Sequence, residues 1–415
     1  MIQVESYKLP NGLRLLHHFD VSTRMVAVNL LYDVGSKDES PEMTGLAHLM
    51  EHLMFAGSRN AFSYDGELQK AGGESNAWTS NDVTNYYDVL PAHNVETAFW
   101  LESDRLLNLS LNDENVALQK SVVMEEFKQR FINQPYGDIY HLLRGAAFTT
   151  HPYRWPVIGR DLSDIEKVTT SDVINFFESH YSVDNLVLCV SGNISFDRVI
   201  ELAQKWFGDI SPRCSYRRNL PQEPEQNEPK IIRAHRDVPH NMIYKAYHMC
   251  GRRDVDYQAC DMLSDVLSNG KSSRFYQNIL MKTDCFVDLD ASVSGDFEPG
   301  LFYIKGRLDS NTCWEQASEI IDREIENLWT EGISDYEVKK CANKYASSFL
   351  FENLAYAEKA LKLCEYELLS TAADMNSEIN RYRMLTPGRV QDVVKKILRP
   401  ENCTTLFYGP NVESC

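Results

Sequence analysis

The stretch His48-Leu49-Met50-Glu51-His52 places two imidazoles and one carboxylate within five residues. At 3.6 residues per turn, positions 48, 51 and 52 fall within roughly 100° of arc, so all three side chains share one face of a helix. Neutral imidazole is a good zinc ligand, and a catalytic zinc site has three protein ligands and one open position. The stretch therefore predicts a helix that carries two metal ligands, His48 and His52.

Glu51 has a different predicted role from its two neighbours. It cannot easily bind the ion that the two histidines hold, but it can accept a proton from water at the site, as a general base. The order His-x-x-Glu-His is the reverse of the commoner His-Glu-x-x-His pattern and is the inverzincin signature. The alternative is a helix whose histidines are satisfied by ordinary hydrogen bonds.

The third metal ligand has to come from another part of the chain. A helical pattern from about Asn115 to Arg130 contains two adjacent acids, Glu125 and Glu126. Neighbouring residues of a helix point about 100° apart, so only one of the two carboxylates can face the metal. Periodicity alone leaves both acids open.

A longer run around the motif, residues 45–58 (GLAHLMEHLMFAGS), resembles the pitrilysin or insulinase-like zinc peptidases. Within that family it is similar to the short-chain branch that includes the mitochondrial processing peptidase. The resemblance covers most of the first 210 residues. Three further stretches carry it: Asn76-Ala77-Trp78-Thr79-Ser80, Val122-Val123-Met124-Glu125-Glu126 and His151-Pro152-Tyr153.

The resemblance implies a zinc endopeptidase with Glu51 as the catalytic base and Zn²⁺ held by His48, His52 and Glu126, since the family's third ligand ends a Val-Val-x-x-Glu run. Gln119 stands where relatives often have a further acid near the metal, and its amide can donate hydrogen bonds but adds no charge. Asn76 and Ala77 fall on the strand that binds substrate in the family, which implies pairing with an unfolded peptide. A catalytically silent scaffold or assembly subunit, or a peptide-binding module, is the alternative function on the same fold.

The second half departs from the family pattern. Active relatives have an Arg, and seven residues later a Tyr, after a Gly-Ser-Ser-Arg-like segment, which is residues 270–276 (GKSSRFY) in this chain. Continuing without gaps places Leu280 and Val287 at those two positions, and neither side chain can donate a hydrogen bond. We therefore expect a heterodimer in which a homologous, zinc-free subunit supplies the Arg/Tyr clamp, with a homodimer as the alternative.

Net charge and cysteine spacing limit the binding partners and the cellular compartment that the sequence favours. The net charge of −18 opposes nucleic acid and anionic membrane surfaces and favours basic peptides. Ten cysteines are scattered without a Cys-x-x-Cys pair, which is typical of a reducing compartment. The first residues do not resemble a signal peptide, and no apolar run approaches 18 residues, so the sequence favours a cytoplasmic location.

The chain also predicts a duplicated architecture. A Pro- and charge-rich stretch suggests a linker at 211–230 between a zinc-bearing catalytic domain, 1–210, and a homologous non-metal domain, 231–415. Aligning Gly57 with Gly270 places Asp261, Ser264 and Asp265 opposite the motif, so the second copy lacks its metal site. The expected fold class is α+β, with two homologous sandwich domains that enclose a peptide-binding chamber. In the first copy we expect strands at 13–18, 25–32, 75–79, 85–90 and 185–190, and helices at 44–55, 95–107, 115–130 and 171–181.

Overall fold

The computed structural model describes residues 2–213 and 218–410. Residues 214–217 of the predicted linker and residues 411–415 lie outside the described part. The strands are β1 Glu5–Lys8, β2 Arg14–Phe19, β3 Met25–Tyr32, β4 Glu74–Thr79, β5 Thr84–Pro91, β6 Leu186–Gly192, β7 Lys230–His235, β8 Met242–His248, β9 Phe286–Val293, β10 Leu301–Leu308 and β11 Cys403–Gly409.

The helices connect and flank these strands. They are α1 Leu46–Leu53, α2 Tyr64–Lys70, α3 Glu96–Asn108, α4 Asp113–Phe127, α5 Ile139–Ala147, α6 Leu162–Lys167, α7 Thr170–His180, α8 Phe196–Phe207, α9 Tyr257–Ser268, α10 Trp314–Glu331, α11 Asp335–Glu352, α12 Tyr356–Leu369, α13 Glu378–Arg383 and α14 Pro387–Ile397. Two π-helical segments, Lys128–Asn133 and Phe275–Leu280, interrupt the regular pattern. Each strand and helix expected in the first copy is present, with its ends within about three residues of the prediction.

Two sheets with the same topology confirm the α+β class and the duplication. The first sheet has the order β1-β2-β6-β3-β5-β4, and the second has the order β7-β11-β8-β10-β9. Apart from β1, each strand of the first sheet has a counterpart in the second. The parallel pair β2 and β6 matches the parallel pair β7 and β11, and the other neighbours are antiparallel in both sheets. The helix α1, which carries the motif, follows β3 as α9 follows β8.

The compact units are not continuous in sequence. Unit 1 consists of the described residues of 1–128, 155–220 and 350–377, and unit 2 of those of 129–154, 221–349 and 378–415. Each half of the chain thus contributes a helix to the other half's unit. The α5 residues Ile139 and Leu143 lie in a buried cluster with residues of the second sheet. Cys364 of α12 contacts Asn29 and the Val187 carbonyl of the first sheet. This exchange differs from the continuous domains, 1–210 and 231–415, that the linker suggested.

The described part of the predicted linker is held by side-chain contacts. Arg218 forms ion pairs with Asp33 and Asp38. Gln226 is 7% exposed and donates to the carbonyl of Cys403. The Glu223 carboxylate accepts hydrogen bonds from the backbone N–H groups of residues 149, 150 and 151. Polar side chains in this stretch therefore fix its backbone through hydrogen bonds and ion pairs, instead of only facing solvent.

Glu223→Gln is expected to destabilise the protein at neutral pH by about 1–2 kcal/mol, because a charged acceptor of several N–H groups is lost. Burial opposes ionisation of Glu223, but the N–H groups of His151 and Thr149 and the Thr149 hydroxyl outweigh it and lower its pKa to about 2. A lowered carboxyl pKa stabilises the fold above the unfolded value near 4.5, and this contribution is lost as the pH falls toward 2. Thermal unfolding of both proteins from pH 7 to pH 2.5 checks this. A difference that does not shrink below pH 4.5 would contradict the assignment.

Candidate metal centre

The helix α1 presents its two histidines from a mostly buried segment. Leu49, Met50 and Leu53 are fully buried and anchor α1 in the core of unit 1. The side chains of His48 and His52 are 11% and 24% exposed. Their ring centroids lie 4.8 Å apart with the rings nearly perpendicular. The core-facing residues therefore fix the helix, while both imidazoles reach a partly solvated surface.

A buried acid and a glycine fix the start of α1. The Glu39 carboxyl accepts hydrogen bonds from the N–H groups of Gly45 and Ala47 at 2.9 and 2.8 Å. Burial raises the pKa of Glu39 to about 8, although these N–H groups act in the opposite direction. Gly45 has φ 90°, and a Cβ there would lie 2.6 Å from the carbonyl oxygen of Ile158. The segment that contains Ile158 and Gly159, near the third family-like stretch, thus packs directly on the first turn of α1.

Glu126 of α4 completes a three-residue donor set. Its Oε2 lies 3.7 Å from His48 Nε2 and 3.4 Å from His52 Nε2. One ligand atom from each residue lies within 4.8 Å of the other two. Two ligand atoms bound at about 2.1 Å to one tetrahedral ion are about 3.4 Å apart. The two distances from Glu126 Oε2 are close to this value, and two imidazoles with one carboxylate are donors that zinc takes.

The neighbouring acid points elsewhere. The Glu125 side chain is 64% exposed and forms an ion pair with Lys128 Nζ at 2.6 Å. Of the two acids that periodicity left open, the structure therefore brings only Glu126 to the histidines. The regular helix ends at Phe127, one residue after Glu126, and continues as a π-helical segment.

Glu51 has a partner that the sequence analysis did not single out. Thr79, the last residue of β4, donates a hydrogen bond from Oγ1 to Glu51 Oε2 at 2.5 Å. Residues 77 and 79 point to the same side of β4 because side chains alternate along a strand. The sequence shows that a hydroxyl residue lies two positions after Ala77 on the same face of the strand. Only the packing of α1 against β4 shows that this hydroxyl contacts Glu51.

In the peptidase that the sequence predicts, Thr79→Val should lower peptide hydrolysis about tenfold, because the Glu51 carboxylate loses the hydroxyl that orients it. Thr79→Ser should restore most of the activity, since it keeps the oxygen and removes only a methyl group. Zinc content should stay the same in both variants. The check is kcat and KM for one peptide together with the bound zinc per chain. Equal kcat for the Val variant and the unchanged protein would show that the contact has no role in turnover.

The other predicted site residues lie near the edge of the first sheet or on α4. Among the described residues, β4 pairs only with β5, so its other edge offers main-chain groups. Asn76 is exposed, and its side-chain oxygen accepts a hydrogen bond from the Ala77 N–H at 2.8 Å. Gln119 is half-buried on α4, seven residues before Glu126 and hence on nearly the same helix face.

Unit 2 does not repeat the donor set. Across the described ranges 2–213 and 218–410, only His48, His52 and Glu126 form a cluster of three possible metal ligands. Asp261 accepts a hydrogen bond from the Tyr382 hydroxyl at 2.5 Å, and burial raises its pKa to about 6. Leu280 ends a π-helical segment and packs on the core of unit 2. Val287 is 52% exposed on β9.

A duplicated α+β fold in which two histidines and a glutamate converge beside a second glutamate defines the inverzincin class of metallopeptidase folds. The family described as "Insulinase (Peptidase family M16)" matches residues 15–157, and "Peptidase M16 inactive domain" matches residues 167–345. The chain is 31% identical to the "Zinc protease PqqE" of Helicobacter pylori over 412 residues, 98% of this chain and 93% of that protein.

Two further similarities agree with this class. The chain is 29% identical over 205 residues to the "Probable mitochondrial-processing peptidase subunit beta" of Arabidopsis thaliana, which is 49% of this chain and 38% of that protein. The crystal structure of a protease from Helicobacter pylori superposes with a TM-score of 0.91 at 25% identity, covering 99% of this chain and 100% of the other. The chain belongs to peptidase family M16. No helix among its described residues is both long and apolar enough to cross a membrane.

Proposed function

We propose that this protein is a zinc-dependent endopeptidase that cleaves unfolded peptides. The observation that carries the proposal is the convergence of His48 Nε2, His52 Nε2 and Glu126 Oε2 beside Glu51. The side chains of His48, His52 and Glu126 are 11%, 24% and 19% exposed, so solvent and a peptide can reach an open position between them. Zinc bound by these donors would polarise the scissile carbonyl and make a water molecule acidic enough to lose its proton near neutral pH.

The chain's own residues supply the other parts of the reaction. Glu51 takes the proton of the attacking water and returns it to the nitrogen of the leaving peptide. Thr79 holds the Glu51 carboxylate in place through its hydroxyl. The edge of β4 that no described strand pairs with binds the substrate backbone as an added strand, which selects extended peptides over folded proteins. The net charge of −18 favours basic peptides in the first encounter.

The test is hydrolysis of a mixed pool of quenched basic and neutral peptides by the zinc-loaded protein. We expect cleavage that a chelator removes and added zinc restores, and faster cleavage of the basic peptides at low ionic strength. Mass spectrometry of the products identifies the scissile bonds and excludes trimming from the ends. Protein that holds one zinc per chain and leaves every peptide whole, alone and with the partner described next, would favour the silent scaffold or peptide-binding module instead.

The proposal includes a heterodimer in which a homologous, zinc-free subunit supplies an Arg and a Tyr. Its support is that Leu280 is half-buried against apolar neighbours and Val287 has no polar atom in its side chain, so neither can stabilise a developing oxyanion. The test compares kcat of the purified chain with and without such a homologue. Activity that rises with the homologue, and not with an Arg→Ala variant of it, supports the heterodimer. Full activity in the isolated chain would favour the homodimer or an independent monomer.

We also propose a cytoplasmic location. The support is chemical: the eight cysteines in the described residues are free thiols. A reducing compartment keeps such thiols from pairing. Fractionation of cells that produce the full-length protein tests this, and recovery of the zinc-bearing protein outside the cytoplasm would contradict it.

A further inference from the structure

The two sheets can be compared residue by residue, because their registers match. In unit 1, Leu15 of β2 pairs with Leu188 of β6, which in turn pairs with Leu30 of β3. The counterparts in unit 2 are Ile231 of β7, Thr405 of β11 and Lys245 of β8. The three leucines are all fully buried. In unit 2, Lys245 and Thr405 are also buried, with 4% and 7% exposed, whereas Ile231 is 59% exposed. The β7 end of this place is therefore open in unit 2, whereas the corresponding β2 end is covered in unit 1.

The covering element in unit 1 is the amphipathic helix α8, which packs against β2 and α3. Its apolar face buries Val199, Leu202, Ala203 and Phe207. Its basic residues bind an acid in the first turn of α3: Arg198 and Lys205 lie 3.0 and 2.6 Å from the Glu96 carboxylate. Apolar packing on the sheet and basic contacts with the adjoining helix thus hold α8 in place.

In unit 2 the corresponding place is a cavity of about 590 Å³ between the second sheet and α10, the counterpart of α3. We call it the α10 groove. Trp329 at its rim is a large apolar side chain that is 40% exposed. The groove is lined by residues that include Ile231, Lys245, Thr405, Phe407, Asp322 and Trp329.

The charges around the groove resemble those that hold α8. Lys245 on the floor is neutralised by Asp322 of α10 at 2.7 Å. Glu315, in the first turn of α10 as Glu96 is in α3, pairs with Arg233 of β7 at 3.2 Å. Glu326 is a third acid, exposed and lining the groove. Three acids against two bases leave a surplus negative charge on the α10 side.

We propose that the α10 groove is a docking site for a basic amphipathic helix of another polypeptide. The apolar stripe of that helix packs on the exposed side chains of Ile231 and Trp329, as α8 packs on the equivalent surface of unit 1. Its Lys or Arg side chains face Glu326 on α10. The docked helix completes unit 2 in the way that α8 completes unit 1.

The test uses labelled, hydrocarbon-stapled model helices with one leucine stripe, flanked either by lysines or by glutamates, and fluorescence anisotropy. The full chain carries Glu51→Gln so that it does not cut the probes. We expect the lysine-flanked helix to bind and the glutamate-flanked helix to bind at least about tenfold more weakly. Ile231→Glu should weaken the lysine-flanked helix about tenfold or more, because it places a charge in the apolar contact.

The matched control is Val255→Glu, at a 75% exposed position of unit 2 that does not line the groove. It should bind like the unchanged chain, and both variants should keep the same melting temperature since both positions are exposed. Three results would overturn the proposal: equal affinity for the two helices, no loss with Ile231→Glu, or a homodimer that Ile231→Glu dissociates. The last result would make a second copy of this chain the occupant. None of them depends on peptidase activity, so failure here is distinguishable from failure of the proposed function.

Discussion

Glu126→Gln should lower the affinity of the protein for zinc by about 100-fold or more and abolish peptide hydrolysis with it. A neutral amide replaces the anionic oxygen that lies 3.4 Å from His52 Nε2 and 3.7 Å from His48 Nε2. Zinc favours three strong protein donors, and two imidazoles alone hold it far more weakly. The measurement is zinc per chain by mass spectrometry after dialysis against a buffered series of free zinc concentrations.

The adjacent residue offers a matched control for this prediction. Glu125→Gln makes the same chemical change one position earlier, on a side chain that is 64% exposed and paired with Lys128. An exposed ion pair contributes little, so zinc affinity, activity and stability should all be nearly unchanged. If the two variants lose zinc equally, or Glu125→Gln loses more, the ligand assignment is wrong.

Glu51→Gln should reduce hydrolysis by about 1,000-fold while zinc stays bound. The amide keeps the size of the side chain and can still contact the Thr79 hydroxyl, but it cannot accept the proton of the attacking water. The loss should appear in kcat, with the affinity for a peptide nearly unchanged. Zinc content, measured on the same preparation, separates a lost base from a lost metal. Activity above about a tenth of the original, with zinc retained, would remove Glu51 from the proposed role.

Most strands and helices near the motif can be predicted from the sequence. Alternating and helical patterns predict the strands and helices around the motif because each of these elements buries one continuous apolar face. The patterns do not predict β1 and α2, because neither segment shows a clear buried face in its sequence. Glu5 and Ser6 of β1 are exposed and show no buried alternation, and α2 contains Gly66, which weakens any helical pattern.

Contacts between elements that are distant in sequence cannot be predicted without the three-dimensional fold. The helices α5 and α12 each bury one face. A periodic pattern cannot show which sheet such a face meets, so their exchange between the two units cannot be predicted from the sequence. The choice between Glu125 and Glu126 has the same origin, since it depends on where α1 lies relative to α4. Thr79 likewise gains its role only when the end of β4 meets Glu51.

Anomalous diffraction from zinc-soaked crystals of the unchanged protein, recorded on both sides of the zinc absorption edge, tests the ligand assignment. We expect one strong peak in each chain, about 2.1 Å from His48 Nε2, from His52 Nε2 and from a Glu126 carboxylate oxygen. Its signal should vanish below the edge. A zinc-saturated crystal with no peak between these three residues, or with its peak on other ligands, would show that His48, His52 and Glu126 do not form the zinc site.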